Sequence, residues 1–308
     1  KSYARGEVAS VINKSEERIT PDCQVSDRCG GCQIDHIQYQ SQLKYKKQMV
    51  EDALSRIAKL DTVNVNPVLG MEHPFAYRNK AQFPLDVVDE KAVIGFYAAG
   101  SHDIIPHDNC RIQHPAINKI ANKMVELINK YELSIYNETT GEGLVRHLVV
   151  RIGVCTNQAQ LIIVTNGDKL PSQQQIVEEI MGEIPELISV YQNINPEETN
   201  VVLGDKIKKI AGKDYIIDYI GGIKYQISPL SFFQINTLQT KVLYDQVVDY
   251  AELSGKEKVL DAYCGLGSIS LYVAGQSKEV YGIEVVDEAI SLAQKNAELN
   301  NIDNCQFA

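Results

Sequence analysis

The pattern of apolar and polar positions changes character along the chain. Apolar residues recur at helical spacing over residues 41–60, which predicts an amphipathic helix packed on the loop that precedes it. Short alternating runs then predict antiparallel strands, one hairpin and two further helices. The predicted strands cover 81–85, 92–97, 144–152, 160–165 and short segments of 200–227, and the predicted helices cover 116–131 and 173–184.

From Pro229 onward, helices alternate with short apolar strands. A helix is predicted over residues 237–250, strands over 258–262 and 280–284, and the start of another strand over 304–308. Such alternation is typical of βαβ units and a parallel sheet. Doubly wound sheets have about four to six strands, so we expect an α/β domain that is incomplete in this chain.

The composition is that of a globular protein, since 44% of the 308 residues are hydrophobic and 23% are charged. These values exclude disorder, collagen and coiled coil, and no run approaches the roughly 20 apolar residues of a membrane helix. The seven cysteines are an odd number, and the start of the chain lacks the apolar core of a signal peptide. We therefore expect a cytoplasmic protein whose cysteines are metal ligands or free thiols.

Charge is uneven. The net charge is −10, whereas residues 1–60 carry 10 basic and 8 acidic side chains, a net of +2. An acidic chain disfavours a nucleic-acid partner outside this first segment. The candidate phosphate contacts are Lys44, Lys46 and Lys47 there and Arg146 and Arg151 on the predicted hairpin, with solvated surface as the competing interpretation.

A glycine-containing turn follows the strand at 258–262. The run Asp261-Ala-Tyr-Cys-Gly-Leu-Gly267 joins this strand to a helix, whose N-terminus offers free N–H groups. It is neither a P-loop nor the G-x-G-x-x-G fingerprint. The next strand ends at Glu284, where an acid suits two ribose hydroxyls. This pair of features predicts a site for a nucleoside-containing ligand.

Three cysteines lie in a glycine-rich loop, Cys23-x5-Cys29-Gly-Gly-Cys32. Thiolates at this spacing suit a soft metal centre. The best candidate for a fourth ligand is Cys110, and the alternatives are Cys155, Cys264 and Cys305. Chemistry alone leaves an iron–sulfur cluster and a zinc site open, while the compartment disfavours a disulfide.

Four separated motifs, in this order, resemble the RNA uracil-5-methyltransferases. They are the cysteine motif at 23–32, Tyr-Arg-Asn-Lys at 77–80, Ser-Phe-Phe-Gln-Ile-Asn at 231–236 and Asp-x-x-Cys-Gly-x-Gly at 261–267. The cysteine motif resembles the branch that carries a [4Fe–4S] cluster and modifies 23S ribosomal RNA. The resemblance implies an α/β fold: an incomplete Rossmann-like methyltransferase domain preceded by an α+β central domain with an iron–sulfur loop.

The resemblance also implies the domain limits and site residues. Residues 1–10 would be the remnant of an N-terminal β-barrel, 11–228 the central domain with an RNA-facing sheet, and 229–308 the N-terminal part of the S-adenosylmethionine-binding domain. The implied cluster ligands are Cys23, Cys29, Cys32 and Cys110, and the implied S-adenosylmethionine contacts are Gln234, Tyr263, Gly265 and Glu284.

In this family a cysteine thiolate adds to carbon 6 of uracil, and carbon 5 takes the methyl group from S-adenosylmethionine. A carboxylate then removes the carbon 5 proton, and the thiolate leaves carbon 6. The family's Asp-Pro-Pro-Arg segment, nucleophilic cysteine and general base have no match up to Ala308. We therefore assign no catalytic residue and expect this chain to be catalytically incomplete. The expected partner is 23S rRNA, with no membrane and no obligate protein partner, in a monomer.

Two alternatives stay open at this point. A transfer-RNA uridine-5 methyltransferase would use the same chemistry, but its cluster-free branch lacks the cysteine motif. A metal-stabilised RNA-binding module without catalysis belongs to a different functional class. The six histidines show no ligand spacing and receive no role.

Overall fold

A computed structural model describes Ala4, Gly6 and residues 8–308. The helices are α1 (Tyr39–Asp52), α2 (Pro115–Lys130), α3 (Gln173–Glu183), α4 (Thr237–Ala251), α5 (Ser268–Ala274) and α6 (Asp287–Leu299). The strands are β1 (Lys80–Val88), β2 (Lys91–Tyr97), β3 (Ile104–Pro106), β4 (Val145–Gly153), β5 (Gln158–Thr165), β6 (Leu187–Ile194), β7 (Lys206–Gly212), β8 (Ile216–Ile220), β9 (Ile223–Ile227), β10 (Lys258–Ala262), β11 (Glu279–Ile283) and β12 (Cys305–Phe307). Among the described residues, no helix is long and apolar enough to cross a membrane.

A seven-stranded sheet organises the first two thirds of the chain. Its order is β3-β2-β1-β4-β5-β6-β7, and every neighbouring pair is antiparallel except β5 and β6. That parallel pair needs a crossover, which α3 provides. All nine residues of the central strand β4 are buried, because helices α2 and α3 pack on one face of the sheet and residues 202–207 cover part of the other.

The second unit is a parallel sheet in the order β10-β11-β12. Helices α5 and α6 connect its strands, as the alternating pattern predicts. The hairpin β8–β9 packs with this unit, since Ile216 and Tyr225 share a core with Phe233 and Leu271. The mixed α/β fold and the Rossmann-like arrangement of the last unit confirm the predicted fold class.

The predicted packing of the first helix is wrong. Helix α1 forms and continues into a π-helical turn over Ala53–Ile57, but Ser41 is its only buried residue. Ile57 is 81% exposed, and Val50 and Leu60 are each 49% exposed, so the apolar stripe is not docked on the cysteine loop. The helix is instead anchored at its start, where the Tyr39 hydroxyl accepts a hydrogen bond from the Met71 amide at 2.7 Å.

The predicted remnant of a barrel strand at residues 1–10 rests mainly on residues outside those described. The predicted limits at residues 11, 228 and 229 stay predictions. The hairpin β8–β9 shares a core with the last unit, and Cys155 and Thr156, between β4 and β5, also hydrogen-bond Asp218 and the Ile217 carbonyl.

Because the central strand β4 is buried, truncating one of its apolar side chains is expected to lower the stability strongly. Leu148 is fully buried at the middle of β4, so Leu148→Ala is expected to lower the free energy of unfolding by about 2–5 kcal/mol in urea titrations. Val87 on β1 is 51% exposed, and Val87→Ala serves as the matched control with a change of about 0.5 kcal/mol or less. Equal effects of the two substitutions would show that β4 is not the centre of the fold.

Candidate cofactor and metal sites

The turn after β10 is built by hydrogen bonds to Asp261. Its carboxylate accepts from the Ser270 hydroxyl at 2.5 Å and from the Ser270 backbone N–H, which fixes the first turn of α5. Burial raises the pKa of this carboxyl, and the two hydrogen bonds oppose that shift. Gly267 has φ +80°, and a Cβ there would lie 3.1 Å from the Phe307 ring and 3.2 Å from Ala293. The turn therefore requires glycine at this position.

Glu284 is held at the carboxyl edge of the parallel sheet. Its carboxylate accepts hydrogen bonds from the backbone N–H groups of Gly265 at 3.1 Å, Val285 at 2.8 Å and Val286 at 3.1 Å. These bonds lower the pKa of Glu284, so the side chain is an anion at neutral pH. Three N–H donors fix its position beside the glycine turn.

Tyr263 lies in the same turn with φ +66°, and its side chain is 85% exposed. Cys264 follows it and pairs its N–H with the Ile283 carbonyl at 3.0 Å, which joins the ends of β10 and β11. The structure thus brings Tyr263, Gly265 and Glu284 to one edge of the sheet.

Gln234 lies in the loop before α4. The Tyr244 hydroxyl and the Ser268 hydroxyl are 2.8 Å apart, within hydrogen-bond distance. Burial raises the pKa of Tyr244, and the Ser268 and Gln234 side chains oppose that rise. Ser268 is the first residue of α5, so Tyr244 links α4 to the helix that follows the glycine turn.

The four cysteines predicted as metal ligands lie together at a second place in the fold. Cys23, Cys29, Cys32 and Cys110 line one cavity of about 350 Å³, together with Arg78, Lys80, His107, Gln113 and Ile235. The loop that carries the first three is docked on the end of β2, where the Gly30 N–H donates to the Tyr97 carbonyl at 2.9 Å. A Cβ on Gly30 would lie 3.0 Å from that carbonyl oxygen, so the close approach favours glycine.

The other three cysteines lie outside this cavity. Cys155 is exposed in the turn between β4 and β5, Cys264 is buried in the glycine turn, and Cys305 starts β12. Cys110 is therefore the fourth cysteine that the fold brings to the other three. Its loop is fixed by Asn118, whose side chain donates to the Cys110 carbonyl at 3.0 Å.

Burial and neighbouring charges shift the pKa values of the side chains that line this cavity. Burial and the neighbouring thiols raise the pKa of Cys32 to about 11, and burial raises that of Cys110. Lys80 is also partly buried, and its pKa falls to about 8 because burial and the charges of Arg151 and Arg78 disfavour its cation. The two cations that line the cavity, Arg78 and Lys80, would compensate thiolates bound to a metal.

Within the described part of the chain, no three histidine, cysteine or acidic side chains are arranged so that they could hold a metal ion. His107, which has no predicted role, lines the same cavity, with Nε2 3.8 Å from the Cys23 sulfur. A lone histidine 84 positions away carries no spacing signal from which this contact could be predicted.

Two of the candidate phosphate contacts are wrong. Arg146 and Arg151 are 6% and 4% exposed. They are therefore too buried to make the contacts with RNA phosphates that the hairpin pattern predicts. Arg146 stacks on Tyr136 and donates to the carbonyls of Asn195 at 2.6 Å and Glu197 at 2.8 Å. Arg151 donates to the Ser231 carbonyl at 2.6 Å. Lys44 and Lys46 are exposed on α1, as a phosphate contact requires, whereas Lys47 is half-buried and pairs with Glu51 at 3.4 Å.

Comparison with known proteins identifies the family. Residues 38–308 match the model of the tRNA (uracil-5-)-methyltransferases. An uncharacterized RNA methyltransferase of Halalkalibacterium halodurans is 46% identical over 308 residues, which are all of this chain and 67% of that protein. One from Caldanaerobacter subterraneus is 44% identical over 307 residues, and the match covers 100% of this chain and 68% of the relative.

A solved structure agrees with these relatives. The tRNA (uracil-54, C5)-methyltransferase of Pyrococcus abyssi, in complex with S-adenosyl-L-homocysteine, superposes with a TM-score of 0.76 at 26% identity. The match covers 97% of this chain and 67% of that one. Together with the glycine turn and the parallel sheet, these matches show that the chain belongs to the tRNA (uracil-5-)-methyltransferase family of RNA methyltransferases.

Proposed function

We propose that this protein takes part in methylating carbon 5 of uridine in RNA, with S-adenosylmethionine as methyl donor and 23S rRNA as substrate. The observation that carries the proposal is the joint placement of two sites: the edge formed by Tyr263, Gly265 and Glu284, and the cavity of four cysteines. The domain limits at residues 10, 228 and 229 are part of the same proposal.

S-adenosylmethionine supplies an electrophilic methyl group when it is bound. The Glu284 carboxylate, held by three N–H donors, would accept hydrogen bonds from the ribose hydroxyls. Gly265 allows the backbone to approach the ligand, and the exposed Tyr263 ring offers a flat apolar surface beside it. Gln234 would contribute its side-chain amide from the opposite loop. The complex of the Pyrococcus abyssi enzyme with S-adenosyl-L-homocysteine supports this cofactor.

We propose a [4Fe–4S] cluster in the cysteine cavity. Such a cluster takes one thiolate on each iron, so its four ligands surround an open centre. A structural zinc ion instead needs all four sulfurs about 2.3 Å from one point. The cavity that all four thiols line, with Arg78 and Lys80 beside them, supports a centre held by all four. When bound, the cluster would tie residues 23–32 to the segment at Cys110.

The proposed chemistry also needs a nucleophilic thiolate, and we infer that none of the seven cysteines supplies it. Four are assigned to the cluster. The pKa of Cys264 and that of Cys305 are each raised to about 11, and burial raises that of Cys155 as well. A nucleophilic cysteine requires the opposite shift. We therefore propose that this chain contributes the cofactor site without the covalent step.

A transfer-RNA substrate is the second candidate. The description of the family and the tRNA (uracil-54, C5)-methyltransferase of Pyrococcus abyssi favour it. The cysteine motif and its cavity favour ribosomal RNA, because the resemblance links that motif to the ribosomal branch.

The substrate proposal is tested with the 308-residue chain, radiolabelled S-adenosylmethionine and two RNAs. We expect a 23S rRNA fragment to compete better than tRNA in filter-binding titrations at fixed salt, and we expect both RNAs to stay unlabelled. Tighter binding of tRNA would contradict 23S rRNA as the substrate and favour tRNA. Label in either RNA would contradict the inference about the cysteines.

The cluster proposal is tested by iron and acid-labile sulfide analysis of anaerobically purified protein. We expect about four irons and four sulfides per chain, lost together in Cys29→Ser because one of four ligands is removed. Cys155→Ser lies outside the cavity and is expected to keep both. One zinc per chain with no sulfide would contradict the cluster.

A further inference from the structure

The loop that presents Gln234 is fixed by donors from the central sheet. The Asn79 side chain donates to the Gln234 carbonyl at 2.7 Å, and the Asn79 N–H donates to the Ile235 carbonyl at 2.9 Å. The Arg151 guanidinium donates to the Ser231 carbonyl at 2.6 Å. Three of the six carbonyls of residues 231–236 are thus held by residues of β4 or immediately before β1.

Asn79 is itself rigidly held. It is 4% exposed, and its carbonyl accepts the Ile152 N–H at 2.9 Å, so its backbone continues the pairing of β1 with β4. Its side-chain amide also donates to the Thr237 hydroxyl at 2.9 Å. Both of these side-chain acceptors lie on the cofactor side of the molecule, whereas the backbone of Asn79 belongs to the central sheet.

The hydroxyl of Thr237 determines which end of the Asn79 amide points toward it. Thr237 donates to Asp218 at 3.0 Å, and Asp218, a buried residue, also accepts the Cys155 N–H at 2.8 Å. Because the hydroxyl proton is used on Asp218, Thr237 must accept from its other neighbour. The NH2 group of Asn79 is therefore oriented toward Gln234 and Thr237, in a continuous network from Asp218 to the loop.

We propose that Asn79 is the positioning residue for S-adenosylmethionine binding by Gln234. By fixing the Gln234 carbonyl, it sets the position of the peptide that carries the Gln234 side chain, in the loop that leads into α4. Asn79 does not contact the ligand in this account, and it acts through the loop. The inference rests on the proposed function, which assigns Gln234 to the cofactor.

The test is calorimetric titration of the 308-residue chain with S-adenosyl-L-homocysteine. Gln234→Ala is the reference for direct contact. Asn79→Asp keeps the shape of the side chain but removes its donor, and we expect it to weaken binding about tenfold, as loss of one buried donor does. Asn79→Ala is expected to do the same. Ile163→Val shortens a buried side chain of β5, away from this loop, and should leave the dissociation constant for S-adenosyl-L-homocysteine unchanged.

Thr237 supplies a matched pair if the Asn79 variants do not fold. Thr237→Ser keeps the hydroxyl and is expected to bind like the parent chain, whereas Thr237→Val removes it and should weaken binding severalfold. A structural role alone would lower the ligand-free melting temperature and leave affinity intact. Weakened binding in Asn79→Asp and Thr237→Val, with Thr237→Ser and Ile163→Val unaffected, supports the inference.

The failures are distinguishable. If Gln234→Ala weakens binding but the Asn79 and Thr237 variants stay within twofold of the parent, the positioning role is wrong and the cofactor assignment stands. If Gln234→Ala leaves binding unchanged, the assignment of Gln234 fails, and the positioning role falls with it. If the parent chain does not bind S-adenosyl-L-homocysteine, the proposed function itself fails.

Discussion

The structure depends on a buried corner where β1 and β4 meet the loop at residues 231–236. Asn79 and Arg151 bring donors to this corner, and the part-buried Gln234 and Ser231 carbonyls of the loop accept them. An unpaired buried carbonyl or guanidinium costs about 1–3 kcal/mol or more, so the two units are strongly favoured in one relative position. These hydrogen bonds therefore hold the two sheets in one relative position, which a flexible linker alone would not do.

The same corner connects the two candidate sites. Arg78 and Lys80, on either side of Asn79, line the cysteine cavity, and Ile235, next to Gln234, lines it as well. A group bound to the four thiols would therefore lie beside the chain neighbours of Asn79 and Gln234. In the proposed function, a cluster bound there would stabilise the position of the loop at residues 231–236. The corner also places two cationic side chains beside four thiols in a chain whose net charge is −10.

Sequence patterns predict the elements with one-sided burial and miss those whose burial depends on distant partners. Helix α2 follows its apolar periodicity closely, whereas β4 and β5 are predicted by their apolar runs although both of their faces are buried. Strand β6 was not predicted, because its buried face includes Ser189, Gln192 and Asn193, whose side chains are satisfied inside the sheet. Helix α1 shows the opposite case, since its apolar stripe predicts a packed face that the fold leaves exposed.

The candidate sites likewise combine features that the sequence predicts with contacts that only the folded chain shows. The cysteine spacing and the glycine turn are local, and both are visible in the sequence. The contact of Asn79 with Thr237 joins residues 158 positions apart, and no periodicity encodes it. Arg151 alternates with apolar neighbours like a surface residue, yet its partner is a carbonyl 80 positions away. Such polar contacts within the core become visible only when the chain is folded.

The most direct test is a crystal structure of anaerobically purified protein with S-adenosyl-L-homocysteine, measured at the iron absorption edge. The account predicts anomalous density inside the cavity of Cys23, Cys29, Cys32 and Cys110, and the ligand between Gln234 and Glu284. It also predicts that the Asn79 amide still contacts the Gln234 carbonyl. Ligand bound away from Glu284, or anomalous density absent from the cysteine cavity, would contradict it.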